Sequence, residues 1–196
     1  MKRHFQNKFK HIILIINYKA MDNEILQALR QRRSVRAFKP EQIKEEELKA
    51  VLDAGTYAPT GMNRQDPWIV AVQNPTIISQ LVKMNSLFTE QEGNPYYDAP
   101  TIVLVFASRP DKWPNGMADG TLVLGNMMNA AHAIGLGSCW INRERQMFDT
   151  EEGRQLMKHL GLPDGLMGVG ALSLGYPAKP LSPARPRKEN YYRIVK

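Results

Sequence analysis

Apolar and polar positions alternate along this chain in a way that divides it into a series of short elements. Asp22 stands where a side-chain oxygen can cap a helix, and Ile25, Leu26 and Leu29 then recur on one face. Leu48, Val51 and Leu52 mark a second amphipathic helix, with Gly55 placed to close it. A loop from Tyr57 to Asp66 leads into Trp68–Val72, which reads as a buried strand. Asn74 followed by Pro75 starts a helix, since proline's missing amide hydrogen is not needed in a first turn; Ile77, Ile78, Leu81 and Val82 supply its apolar face. Ser86 to Pro100 reads as a long surface loop bearing aromatic residues.

Thr101–Ala107 is a second apolar strand. The stretch from Asp119 to Ile134 is a helix that is apolar or small nearly all round, which predicts burial. Ser138–Ile141 is a short third strand. Asp149 and Glu152 have capping-box spacing ahead of a helix with Leu156, Met157 and Leu160, closed by Gly161. Met167–Leu174 is a fourth strand. The segment from Pro177 to Lys188 has too much proline for a helix, yet Tyr191, Tyr192, Ile194 and Val195 are too apolar for a free tail and are expected to dock, on this chain or another. Helices and strands are mixed without repeats, which predicts a layered α+β or α/β domain.

Composition narrows this picture. At 196 residues, 43% hydrophobic and 23% charged, the chain has the makeup of one ordinary folded domain. Its net charge of +7 suits any anionic partner, from nucleic acid or a membrane surface to a small molecule. The single cysteine, Cys139, cannot form an internal disulfide, which points to a reducing, cytoplasmic setting. His4, His11, His132 and His159 show no paired spacing, so no metal site is expected. Lys2, Arg3, Lys8 and Lys10 precede the run Ile12–Ile16, but that run is too short to span a bilayer and has no convincing cleavage site. Residues 1–20 therefore read as an extension outside a core of residues 21–196.

The chemistry-bearing stretches are Arg32-Arg33-Ser34-Val35-Arg36 and Ala58-Pro59-Thr60-Gly61-Met62-Asn63-Arg64-Gln65. Alone, the arginine run is a solvated helix end. Three guanidinium forks around one serine can also clamp a phosphate or an electron-rich carbonyl. Asn63 and Gln65 are turn formers, but their amides both donate and accept, as the edge of a flavin ring requires. Gly135-Leu136-Gly137 and Gly168-Val169-Gly170 do not complete a dinucleotide fingerprint and read as packing or turn glycines. Cys139, in an apolar strand without a neighbouring base, reads as a packing residue.

In order, these two stretches, Gly125-Asn126-Met127-Met128 and Gly135-Leu136-Gly137-Ser138-Cys139-Trp140-Ile141 resemble the FMN-dependent nitroreductase family, from about Asp22 to the C terminus. The resemblance implies an α+β sandwich, with a central, mostly antiparallel sheet flanked by helices. It further implies a homodimer with a swapped C-terminal segment and FMN at the subunit interface. Carried over by position, Arg32, Arg33 and Ser34 face the phosphate and ribityl side, Arg36 the pyrimidine edge, and Asn63 and Gln65 approach from their loop. Trp140, Ile141, Asn142 and Arg143 neighbour the ring, chiefly through main chain. Pro59 and Thr60 come from the partner subunit, and Arg187 with Lys188 resembles the family's C-terminal basic pair, with Arg185 a further choice of phosphate ligand. Two positions depart from the pattern: Thr60 replaces a frequent serine, and Asp66 separates Gln65 from Pro67-Trp68.

The same resemblance implies ping-pong reduction of nitroaromatics, quinones or similar acceptors by NADH or NADPH, with the chemistry at the flavin and no catalytic side chain. Alternatives of the same fold are a specialised flavoenzyme or a flavin sensor. From another class, a basic nucleic-acid-binding protein is weighed against the absence of a recognisable module and of aromatics interleaved with the cations. The partners expected are a second copy of the chain and a small-molecule acceptor, with neither nucleic acid nor membrane.

Overall fold

The computed structural model describes residues 23–90 and 92–196, so the extension at 1–20 and the Asp22 cap lie outside the described residues. The described residues fall into two compact units, one of residues 23–31 with 184–196 and one of Arg32–Pro183. In the smaller unit, helix α1 (Glu24–Gln31) is capped by Asn23, whose Oδ1 accepts the Leu26 amide at 2.9 Å. Its Ile25 and Leu29 are exposed, as are Tyr191, Tyr192, Ile194 and Val195 in the tail.

The larger unit is built on one antiparallel sheet of β1 (Trp68–Val72), β2 (Thr101–Ser108), β3 (Gly137–Ile141) and β4 (Leu166–Gly175), in the order β1-β2-β4-β3. Around it lie α2 (Glu45–Thr56), α3 (Pro75–Ser86), α4 (Gly116–Ala133), α5 (Glu144–Phe148) and α6 (Glu151–His159). The period of two along β2 assigns its faces. Ile102, Leu104 and Phe106 join a core with Leu81, Met147 and Leu156, from α3, α5 and α6. Val103, Val105 and Ala107 join the opposite core with Val51, Val123 and Met127, from α2 and α4. Helices thus cover both faces, which is why β2 and β4 read as unbroken apolar runs even though their pairing is antiparallel. The α+β reading holds, and no helix of the described residues is long and apolar enough to cross a membrane.

Four local expectations are corrected. Strand β1 is an edge, with Trp68 exposed and only Val72 fully buried. Gly55 does not end α2; it lies within the helix, where a Cβ would come 2.8 Å from Met127 Cγ, so its role is close approach to α4. Helix α4 starts at Gly116 and is buried on one side only, leaving Met117 and Leu122 exposed. The cap of α6 is Thr150, whose Oγ1 accepts the Gly153 amide at 3.0 Å; Asp149 is instead held by Arg109 at 2.5 Å and Arg145 at 2.9 Å.

Candidate functional site

The arginine run becomes a lane along the outer edge of β3. Ser34 bridges Ser138 in parallel, and the Val35 amide donates to the Ser138 carbonyl at 2.9 Å. Gly137 permits this approach, since a Cβ there would come 2.9 Å from Val35 Cβ. Strand alternation then sends Val35 into the interior while Ser34 and Arg36 face outward; Arg32 and Arg33 are half-buried. The pKa of His132, at the end of α4, is lowered first by burial and then by the charges of Arg32 and Arg33. The Arg36 guanidinium carbon stands 5.8 Å from the centre of the Tyr97 ring. Cys139 is buried, and burial raises its thiol pKa, which keeps it a packing residue at neutral pH.

Tyr97 and Pro95 line two adjoining clefts. One, of about 370 Å³, contains Arg36. The other, of about 590 Å³, is lined by Trp140, Ile141, Asn142 and Arg143 at the exit of β3. Both volumes fall in the range of small-molecule sites. The exit is braced from beneath: Asn85 Nδ2 donates to the Asn142 carbonyl at 2.9 Å, and the Arg143 amide donates to Asn142 Oδ1 at 2.9 Å. Below lies a buried cluster that periodicity does not reveal. The Tyr96 hydroxyl donates to Glu144 Oε1 at 3.1 Å, while Glu144 Oε2 has no hydrogen-bond partner. Burial pushes the Glu144 carboxyl up to about 8, so it is protonated at neutral pH. Gly168 makes room for this turn, since a Cβ there would meet the Glu144 carbonyl oxygen.

The second motif sits elsewhere. Gly61–Asn63 forms a 3₁₀ turn just before β1, and Met62, Asn63 and Gln65 have φ of 54°, 53° and 51°. Asp119, buried in α4, organises this loop: its Oδ1 accepts the Gly61 amide at 3.0 Å and its Oδ2 the Trp113 indole at 2.7 Å. The Gln65 amide donates to Thr60 Oγ1 at 3.0 Å, and Asp66 accepts the Ser108 amide at 2.8 Å and hydroxyl at 2.6 Å. The departure at Asp66 is thereby explained as a tether from the loop to the end of β2. Pro59, Asn63 and Gln65 are exposed. The loop precedes one edge strand, β1, and the arginine lane flanks the other, β3, so within a single chain the two motifs belong to opposite edges of the sheet.

Of seven non-glycine residues with positive φ among those described, six lie at these places: Met62, Asn63 and Gln65 in the loop, Tyr97, Asp98 and Arg143 around the clefts. Backbone held in sparsely populated regions gathers at functional sites, which singles out these two surfaces. Arg187 and Lys188 belong to the smaller unit, where Lys188 Nζ stands 4.8 Å from the centre of the Tyr191 ring. Asp119, Asp66, Tyr96, Asn85 and Glu144 are the supporting residues that the sequence pattern misses. Only Asp66 left a signal, as an interruption before Pro67-Trp68.

Residues 29–176 match the model of the Nitroreductase family. The chain belongs to the nitroreductase family. Like other nitroreductases it is an oxidoreductase of the NAD(P)H nitroreductase and FMN reductase group. A relative in Archaeoglobus fulgidus, which bears the provisional name NADH dehydrogenase/NAD(P)H nitroreductase, is 31% identical over 157 residues, covering 79% of this chain and 86% of its own. An NAD(P)H-dependent FMN reductase of Bacillus subtilis is 24% identical over 177 residues, covering 80% of this chain and 67% of its own. Among solved structures, an FMN-bound nitroreductase of Bacteroides fragilis superimposes with a TM-score of 0.81 at 32% identity, covering 89% of this chain and all of that one.

Proposed function

We propose that this nitroreductase-family protein is an FMN-dependent enzyme that oxidises NADH or NADPH and reduces a nitroaromatic, a quinone or a similar small acceptor in a ping-pong cycle. The observation that carries the reading is the arginine lane beside β3, ending at clefts of small-molecule size around Tyr97, in a chain of this family. FMN fits this donor set: a phosphate needs charge-assisted donors, and a flavin edge needs mixed donors and acceptors. Held by these residues, FMN would supply the two-electron redox chemistry between reduced nicotinamide and the acceptor.

The residues of this chain bind and tune. Arg32, Arg33 and Ser34 hold the phosphate and ribityl side, and Arg36 places positive charge at the pyrimidine edge, which favours electron uptake there. The Trp140–Arg143 exit faces the ring with main chain fixed by Asn85. Asn63 and Gln65 contribute hydrogen bonds from their loop.

The proposed working unit is a homodimer. Two observations support it: the two motifs lie at opposite sheet edges, and α4 leaves Met117 and Leu122 exposed on an apolar flank. In this reading Pro59 and Thr60 of the partner subunit complete each site. The exposed tail aromatics are covered by the second copy, with Arg187 and Lys188 serving the phosphate.

The test is direct. Purified protein is expected to be yellow, to release FMN on denaturation, and to bleach anaerobically with NADH or NADPH. Colourless protein that FMN cannot reconstitute would overturn the proposal.

A further inference from the structure

Arg143 occupies a position that suits glycine. Its φ of 89° and ψ of −4° match the third residue of a type II turn, where a Cβ is disfavoured. A φ near 55° falls inside the small, sparsely populated left-handed region; at 89° Arg143 lies outside even that region. The turn is held there by several bonds: Asn85 to the Asn142 carbonyl, the Arg143 amide to Asn142 Oδ1, and the Met147 amide to the Arg143 carbonyl at 2.9 Å. A glycine would satisfy all three without strain, so the fold does not explain an arginine here.

The placement of the guanidinium offers an explanation. Arg143 is exposed and lines the 590 Å³ cleft beside Trp140 and Asn142. Glu90 lines the same cleft, yet among the described residues no carboxylate lies within ion-pair distance of Arg143. A fork of donors with no ion-pair partner among the described residues, at the wall of a cleft of ligand size, is suited to a bidentate oxyanion.

We propose that Arg143 is a specificity residue that recognises a carboxylate or phosphate on the molecule entering this cleft. The inference rests on the flavin reading and sharpens it: either the nicotinamide donor or the electron acceptor is bound partly through an anionic group. The main chain of Arg143 serves the cofactor, while its side chain serves the substrate.

The test uses FMN-loaded wild-type protein and the variants Arg143→Met, which removes the charge but keeps the strained backbone, Arg143→Gly, which removes both, and Arg143→Lys, which keeps the charge without the fork. Two ratios of kcat/KM are read: NADPH over NADH, and 4-nitrobenzoate over 4-nitrobenzamide. One ratio is expected to fall about five- to tenfold in both the Met and Gly variants, mainly through KM, as loss of one charge-assisted contact at a solvent-facing site predicts. The Lys variant should lie between them and the wild type. The ratio that falls identifies the source, donor phosphate or acceptor carboxylate. Relief of strain should also raise the melting temperature of Arg143→Gly by about 2–4 °C. Both ratios within twofold of wild type in the Met and Gly variants would overturn the proposal. Failure of the flavin reading is seen separately, as colourless wild-type protein. Titration calorimetry with NADP+ against NAD+, and with the same two nitro compounds, then reads the selectivity without turnover.

Discussion

Replacing Glu144 by glutamine should stabilise the protein, relative to the wild type, increasingly as pH rises, and the size of the effect is set by the burial of one carboxyl. Glu144 is 1% exposed, its Oε1 accepts from Tyr96, its Oε2 has no partner, and burial raises its pKa from 4.5 to about 8. Between those values the folded state holds a proton that the unfolded chain has released. Unfolding free energy therefore falls with rising pH, by about 1.4 kcal/mol per unit for one proton, and levels off above pH 8. Glutamine does not titrate, and its carbonyl can still accept from Tyr96. The stability difference, Glu144→Gln minus wild type, should grow by about 3 kcal/mol between pH 5 and pH 7.5. Urea melts of both proteins across that range, compared at equal m-value, measure it, and the other titrating groups cancel in the difference. A difference that stays constant with pH would refute the argument, because it would mean that Glu144 ionises alike in both states.

Three further outcomes are expected. Arg32→Ala and Arg187→Ala should each weaken FMN binding about tenfold or more, the worth of one charge-assisted bond; unchanged affinity in both, by fluorescence titration, would contradict the phosphate assignment. Asp119→Ala leaves the Gly61 amide and Trp113 indole without their acceptor and should cost about 2–3 kcal/mol in urea unfolding, with faster amide exchange in the Gly61–Gln65 loop; unaltered exchange would show that Asp119 does not hold the loop. Leu122→Glu, on the exposed flank of α4, should shift sedimentation from the proposed dimer to monomer and reduce bound flavin; a dimer of full occupancy would place the interface elsewhere.

Elements whose signal is local were legible. Asn74 does cap α3, its Oδ1 accepting the Thr76 and Ile77 amides at 2.9 and 3.2 Å with Pro75 in the first turn. The four apolar runs are the four strands. Local pattern failed where a distant partner intervenes. Asp149 has the chemistry of a cap, but Arg109 and Arg145 engage its carboxylate and Thr150 takes the role. Tyr96 lies in a stretch that reads as surface loop, yet it is wholly buried because Asn85 and Glu144 meet its hydroxyl from α3 and α5. Asn142 and Arg143 were legible as candidate site residues and do line a cleft, but the left-handed backbone at Arg143 is a property of conformation that no residue pattern signals.

The arrangement of the two motifs on opposite sheet edges has a thermodynamic corollary. In the proposed dimer, flavin binding and subunit association are linked equilibria, and each strengthens the other by the same factor. On that reading dilution would act as an inhibitor without touching any residue of the site, because a separated protomer would lack the flavin contacts that its partner supplies. In the same proposed dimer flavin would be an assembly factor, and the supply of one small molecule would set how much of this chain is paired.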